Sequence, residues 1–311
     1  MSEHAVTVLV FSERSKLYKY IAETLGTADF IGDFESGTPE WHQLRLQGVG
    51  GSEIGTILGW NNWESAYTLW HKKKGLIEDA DLSDNVAVFI GNAMEQPILK
   101  RFAEKHPELE IWTTGTWRNQ THGWMHANPD AIYRNKNTDE WGIIEVKTGR
   151  NPWNGVPPTY RAQILWYMGV FGFKQGYLIG TPGYEWKEIP MEYDDFEMQA
   201  YILAGKRFMD YLHNDVKPDW DGSESTLTTV RTLNPLIEDS EVEVGEIGVN
   251  LYHAQKKADE AQAELNSYKS AVLDYMGTAK HATTTVDGEG TFRVASRQAR
   301  KDGLPYLVVK K

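Results

Sequence analysis

The chain has 311 residues, 41% of them hydrophobic, with 32 Lys and Arg set against 44 Asp and Glu for a net charge of −12, and no cysteine. That size and content support one sizeable core and a smaller appended region, and the missing cysteines exclude disulfides, thiolate zinc sites, cysteine-ligated iron–sulfur clusters and a thiol nucleophile. The acidic balance argues against a protein that coats DNA through a broad basic surface, so nucleic acid would have to be held in a local basic groove.

No apolar run approaches the ~20 residues of a membrane span, and the start MSEHAVTVLVFSERSK lacks the basic, apolar and small-residue succession of a signal peptide. A cytoplasmic protein without a membrane partner is expected. Residues 1 to 35 predict a leader: a strand over Val6 to Phe11, a helix over Leu17 to Leu25, and a loop with Gly32 and Gly37. Thr38-Pro39-Glu40-Trp41 predicts a helix start with Thr38 as cap and Pro39 in the first turn. Gly50-Gly51-Ser52-Glu53-Ile54 predicts a second helix start, capped by Ser52. Its glycines let a ligand approach the backbone, and its free N–H groups attract phosphate. Arg45, seven residues upstream of Ser52, is a charged partner for the same anion; an ordinary turn before an ordinary helix fits the letters too. The next predicted helix spans Asn85 to Lys105 and puts Glu95 on one stripe with Leu99 and Phe102. A carboxylate on an apolar face calls for a charge partner or a metal. Alternatively, Pro97 starts the helix and Glu95 merely lies near its positive end.

The stretch HANPDAIYRNKNTDEWGIIEVKTG predicts a β-hairpin. Ala131-Ile132-Tyr133 forms one strand, Arg134 to Glu140 the turn, and Trp141 to Lys147 the second strand, on which Glu145 and Lys147 share a face. Antiparallel pairing lets Asp130 lie opposite the end of the Glu145 strand, so both carboxylates can reach one hard cation, magnesium or manganese, while Lys147 can stabilise charge on a phosphate or orient water. A solvated hairpin with its charges facing water is the plain alternative. PPTYRAQILWYMGVFGFKQGYLIGTPG then predicts a helix over Thr159 to Val170, with Tyr160, Gln163 and Tyr167 on one side, and a strand over Gly176 to Gly180. Gln163, set among Ile164, Leu165 and Trp166, calls for a partner in the protein or the substrate, with an ordinary surface glutamine as the plainer alternative. A strand over Trp186 to Met191 and a helix over Asp194 to Leu212 complete an α/β core with a mixed sheet. A break at His213 to Glu224 is followed by Leu251, Ala254, Ala258, Ala261, Leu265, Tyr268 and Val272 in strict 3-4 spacing. That seam suits another helix, in its own domain or in another chain. A hairpin over Ala282 to Val286 and Thr291 to Ala295, and a basic tail, end the sequence. The expected domains are 1–35, 36–222 and 223–311.

Trp41-x3-Arg45-x6-Ser52, Gly91-x3-Glu95, Pro129-Asp130, Glu145-Val146-Lys147-Thr148 and Tyr160-x2-Gln163, in that order over roughly Thr38 to Tyr193, make the chain resemble the YqaJ-like viral recombinase family. These are phage exonucleases related to lambda exonuclease, within the PD-(D/E)xK nuclease superfamily. The resemblance implies a PD-(D/E)xK core, a central mixed sheet flanked by helices, here followed by a long helix and a β-hairpin. It implies that Asp130, Glu145 and the Val146 carbonyl hold two catalytic magnesium ions, that Glu95 completes or orients the site, and that Lys147 is the catalytic lysine. It further implies that Arg45, Ser52 and the neighbouring Gly51 receive a 5′-terminal phosphate, and that Tyr160 and Gln163 position substrate or the lysine. The implied activity is 5′ to 3′ digestion of one strand of linear duplex DNA, by a ring-shaped oligomer that leaves a 3′ strand for an annealing protein. A structure- or sequence-specific endonuclease on the same core, and a non-catalytic DNA-end adaptor, are the rival readings.

Overall fold

The computed structural model describes residues 11–34, 38–82, 84–301 and 303–310. Apart from Phe11, which opens a helix, the strand expected at Val6 to Phe11 lies outside the described residues. In chain order the first part contains α1 (Phe11–Leu25), β1 (Ala28–Gly32), α2 (Pro39–Leu46), β2 (Val49–Gly50), α3 (Gly51–Ile57), α4 (Ala66–Lys73) and α5 (Val86–Lys105). It continues with β3 (Leu109–Thr113), β4 (Thr116–Asn119), β5 (Met125–Ala127), β6 (Ala131–Asn135), β7 (Trp141–Gly149), α6 (Pro158–Phe171), β8 (Gln175–Pro182), β9 (Lys187–Glu192), α7 (Asp195–His213) and α8 (Glu224–Leu233). The last part holds α9 (Glu246–Met276), β10 (His281–Val286), β11 (Gly290–Arg300) and β12 (Gly303–Val309). The chain divides into two compact units, Met1–Leu236 and Ile237–Lys311.

The central sheet of the first unit has the order β3-β6-β7-β8-β9. β6 and β7 form the expected antiparallel hairpin, with Ala131 opposite Ile144 as its last rung, and β7 runs parallel to β8 from Gly142 to Gly149. The sheet is mixed, as expected. Period-2 alternation along β7 decides which helix covers which face. Ile144 and Val146 join Ala131, Tyr133 and Ile179 in a cluster with Ile98, Leu99 and Phe102 of α5. Ile143 packs into the larger core with Leu178 and with Ala162, Leu165 and Trp166 of α6. Each of the larger of these buried side chains, such as Ile143, Ile144, Val146, Leu99 and Phe102, contributes roughly 1.5–3 kcal/mol through removal from water.

α5 runs unbroken through Pro97, which excludes a helix starting there. The carbonyl that Pro97 leaves without its helical partner belongs to Ala93, on an exposed turn where water can replace the lost bond. α6 stops at Gly172, whose φ of 74° gives the left-handed cap that a side chain would resist. A second sheet, of order β1-β4-β5-β2 among the described residues, was not foreseen. Helix α8, inside the region expected to be accessory, is tied to α4 of the core unit: Thr226 Oγ1 donates to Ser65 Oγ at 2.8 Å, and Thr229 and Thr68 hydroxyls meet at 2.8 Å.

In the second unit the 31-residue helix α9 is exposed along almost its whole length, and the expected hairpin gains a third strand, β12 on β11. The run Leu304 to Val309, read as part of a basic tail, contains no charged residue and pairs with β11.

Candidate active site

Three side chains converge where β7 outlasts β6. The Val146 N–H, beyond the last β6 rung, donates to Asp130 Oδ2 at 2.6 Å. Because the N–H and C=O of one strand residue point to the same side, the Val146 carbonyl faces the Asp130 edge as well. Glu145, buried on the α6 face, accepts from Lys147 Nζ at 2.5 Å and from Gln163 Nε2 at 2.6 Å, both on Oε1. Its other oxygen, Oε2, is buried without a hydrogen-bond partner among the described residues. Gln163 also donates to Tyr167 Oη at 3.1 Å, so α6 braces the carboxylate through a glutamine–tyrosine pair. The Lys147 ammonium lies 5.5 Å from the Tyr160 ring centroid.

The electrostatics follow from crowding like charges in a dry place. Burial pushes the Glu145 carboxyl up to about 8, with Asp130 adding repulsion and Lys147 offsetting part of it. Burial raises Asp130 as well, against the opposing pull of Lys147 and the Val146 N–H. Glu95, half-buried on α5, is pushed up to about 7 by burial and then by the Asp130 charge. Burial works to lower the Lys147 pKa, but the Glu145 and Asp130 carboxylates outweigh it and hold the lysine above its ordinary value. Two carboxylates sharing one site in this way favour a proton or a cation between them. No three His, Asp or Glu side chains among the described residues form a metal cluster by themselves; Glu95 reaches the pair through its charge.

A cavity of about 250 Å³ joins this corner to the start of α3. It is lined by Arg45, Gly51 and Ser52 on one side and by Asp130, Glu145, Lys147 and Gln163 on the other. α3 does not begin as expected. Its N-cap is Gly50, and the Glu53 side chain, not Ser52, accepts the cap N–H, from Gly50 at 2.8 Å. Ser52 is therefore exposed at the second position of the helix, with its hydroxyl on the cavity side of the chain's glycine turn.

Glu53 is the residue that sequence reasoning missed. It is buried, accepts from Arg45 Nη2 at 2.8 Å and faces Lys73 Nζ at 3.0 Å. Burial alone would raise its carboxyl, but Lys73 and Arg45 bring it down to about 2. Lys73 in turn donates to the Gly48 carbonyl at 2.7 Å. Arg45 also stacks over Trp41, with its guanidinium carbon 4.5 Å from the ring centroid. The capping-box spacing from Gly50 to Glu53 was the signal available for Glu53, obscured by the serine beside it. Buried His126, pushed down to about 4 by burial and by Lys73, also lines the cavity and carried no signal of its own. Tyr160 stands beside Lys147 and Val146 bonds Asp130, as described; Arg45, Gly51, Ser52, Asp130, Glu145, Lys147 and Gln163 share the cavity, and Glu95 its electrostatic field.

Comparison with known proteins places these residues in context. Residues 40–174 match the model of the YqaJ-like viral recombinase domain. The uncharacterized protein YqaJ of Bacillus subtilis (strain 168) is 29% identical over 203 residues, which cover 61% of this chain and 61% of the relative. Among solved structures, an alkaline exonuclease from Laribacter hongkongensis aligns with a TM-score of 0.46 at 18% identity, over 58% of this chain and 94% of that one. The same enzyme in complex with dAMP gives a TM-score of 0.47 over the same shares. The span of residues 40–174 that is similar to this family model contains Arg45, Ser52, Glu95, Asp130, Glu145, Lys147 and Gln163.

Proposed function

We propose that the protein is a metal-dependent deoxyribonuclease that digests one strand of linear duplex DNA from its 5′ end, in the service of recombination. The observation that carries this reading is the single cavity shared by the Arg45–Ser52 helix start and the Asp130–Glu145–Lys147 corner. An anion site at one end of a cavity fixes a terminal phosphate, and the carboxylate–lysine corner then meets a phosphodiester close to that terminus. Such an arrangement acts on ends.

The donor set fits a hard divalent cation: Asp130, Glu145 and the Val146 carbonyl offer oxygens, and the buried Glu145 Oε2 has no hydrogen-bond partner among the described residues. When bound, two magnesium ions, or manganese in their place, would supply Lewis acidity toward the phosphate and lower the pKa of a water. The Val146 N–H holds Asp130 in place, and Gln163, itself held by Tyr167, orients Glu145. Lys147 presents a permanent positive charge to the phosphate oxygens, kept protonated by its carboxylate neighbours. Arg45, clamped by Glu53 and Trp41, keeps part of its guanidinium edge toward the cavity. Glu95 tunes the charge of the pair from α5. The digested duplex would leave a 3′ strand for a single-strand annealing protein.

End-labelled linear duplex and covalently closed circles, each with magnesium and with chelator, test this reading. Nucleotide release from the linear substrate alone, only with metal, is expected. Nicking of the circle would instead make the protein an endonuclease, and inert linear duplex under every metal condition, with folding verified, would defeat the proposal. Lys147→Ala is expected to cut the rate by about 10²-fold or more while leaving end binding intact. Arg45→Ala is expected to erase the preference for 5′-phosphorylated over unphosphorylated ends.

A further inference from the structure

The second unit holds little core of its own. Of its hydrophobic residues, Met276 and Ala295 are buried, while α9 presents Ile247, Leu251, Leu265 and Tyr268 at 41 to 68% exposure. These belong to one unbroken register. From Ile247 to Tyr275 the seam recurs at alternating steps of four and three residues over four heptads, and no seam position is charged. A helix of this length, about 46 Å at 1.5 Å per residue, does not leave so continuous a stripe in water without a helix to cover it.

We infer that α9 pairs with α9 of a second copy of this chain, in an antiparallel two-fold coiled coil centred on Ala258 and Ala261. In an antiparallel pair, the first and fourth heptad positions of one helix face the fourth and first of the other. Setting Ala258 on the partner's Ala261 fixes every other layer. Ala254 then meets the partner's Leu265, Leu251 meets the partner's Tyr268, and Ile247 meets the partner's Val272.

Side-chain volume decides the orientation. In the antiparallel register the layers taper smoothly, from large pairs at both ends, through leucine on alanine, to alanine on alanine in the middle. A parallel pair would stack three successive alanine layers between Leu251 on itself and Leu265 on itself. Those leucine layers would hold the helices apart and open voids where the alanines need close approach. A parallel pair would also set Tyr268 on Tyr268 at a position that favours leucine.

Charge agrees with this register. The charged flanking positions nearest the centre are Lys257 and Glu264, both exposed. In the antiparallel pair Lys257 lies beside the partner's Glu264, and the two-fold axis repeats the pair on the other side. The interface is thus self-complementary in both shape and charge, as an isologous contact requires. The pairing stands independently of the nuclease reading, since none of its residues belongs to the site described above.

Light-scattering mass of the full chain, with helical content followed by circular dichroism, is the test. The chain is expected to have an even number of copies, and Ala258→Glu, which buries carboxylates in the tightest layer, to halve that mass. Lys257→Glu is expected to raise the concentration needed for assembly by about tenfold, and the swap Lys257→Glu with Glu264→Lys to restore it. Because the sequence has no cysteine, orientation is read directly. Ala254→Cys and Leu265→Cys chains are expected to cross-link with each other when mixed and not with themselves. A monomeric chain at every concentration, an unchanged mass in both the Ala258 and Lys257 variants, a swap that fails to restore assembly, or self-cross-linking of either cysteine variant would each overturn the proposal. The first two outcomes would assign the seam to the chain's own residues instead.

Discussion

Glu145 shows how a common side chain becomes a specialised one through its surroundings. On a surface it would be ionised above the usual carboxylate range; here burial, with Asp130 beside it, pushes its carboxyl up to about 8. The sign of the stability effect follows. A folded-state value above the unfolded one means that the native state binds the proton more tightly, so stability falls as pH rises from the unfolded value of 4.5 through about 8. Glu95, raised to about 7, acts in the same direction and more weakly because it is only half-buried. Lys147 adds nothing in this window, since its raised value leaves it charged throughout. Metal-free protein is therefore expected to melt at a lower temperature at pH 9 than at pH 6, by on the order of 5 °C. Magnesium should narrow that gap, and Glu145→Gln should shrink it in the absence of metal. Thermal melts at the two pH values decide the matter; equal pH dependence in the wild type and the Glu145 variant would contradict it. The same reasoning explains why Glu53, equally buried, behaves in the opposite way. Two cations face it instead of two carboxylates, so it stays ionised and can anchor Arg45.

At the scale of elements, the site depends on how closely α3 approaches α6. A Cβ added at Gly51 would lie 2.4 Å from Tyr167 Cε1, well inside contact distance. Tyr167 bears on Gln163, and Gln163 on Glu145, so a single methyl at the start of α3 would push along a chain of hydrogen bonds to the carboxylate. Gly51→Ala is expected to cost about 1–3 kcal/mol of stability and to lower cleavage more than it lowers end binding. Wild-type turnover in that variant would mean that the contact relaxes without reaching Glu145. Much of this arrangement was legible in the letters, because the periodicities of β7 and α6 are local and strong. The hairpin and the shared face of Glu145 and Lys147 follow from spacing alone, whereas the letters left Gln163 open to a plain surface role. What was not legible depends on distant residues. The cap of α3 falls to Gly50 and Glu53 rather than Ser52 because Arg45 and Lys73 neutralise Glu53 from other helices. In the sheet β1-β4-β5-β2 the pairings of β1 with β4 and of β2 with β5 join strands far apart in the chain, and its two- and three-residue members β2 and β5 carry no periodicity to read. β12 was hidden for another reason: the flanking Lys301, Lys310 and Lys311 made a short uncharged run look like part of a basic tail.

For the whole molecule, the connection between the two units should govern how the chain comes apart. Residues 234–245 carry Glu238, Asp239, Glu241 and Glu243 in an exposed stretch without helix or strand, where Leu236 and Ile237 are 84 and 98% exposed. Upstream, hydroxyl bonds from α8 to Ser65 and Thr68 tie the chain down as far as Leu233. Exposed backbone outside helices and sheets opens to a protease at little free-energy cost, whereas cleavage within the core must wait for unfolding. Glu-specific protease at low dose is accordingly expected to cut first between Glu238 and Glu243. The resistant fragment should contain Arg45, Asp130, Glu145 and Lys147 and keep a cooperative melt. The glutamates of α9 supply an internal control. If α9 pairs with its copy, Glu260 and Glu264 should be cut more slowly than the connection in wild-type protein, and about as fast as the connection in the Ala258→Glu variant. Early cuts scattered through residues 38–233 would mean that the first unit is not the independent body its packing describes.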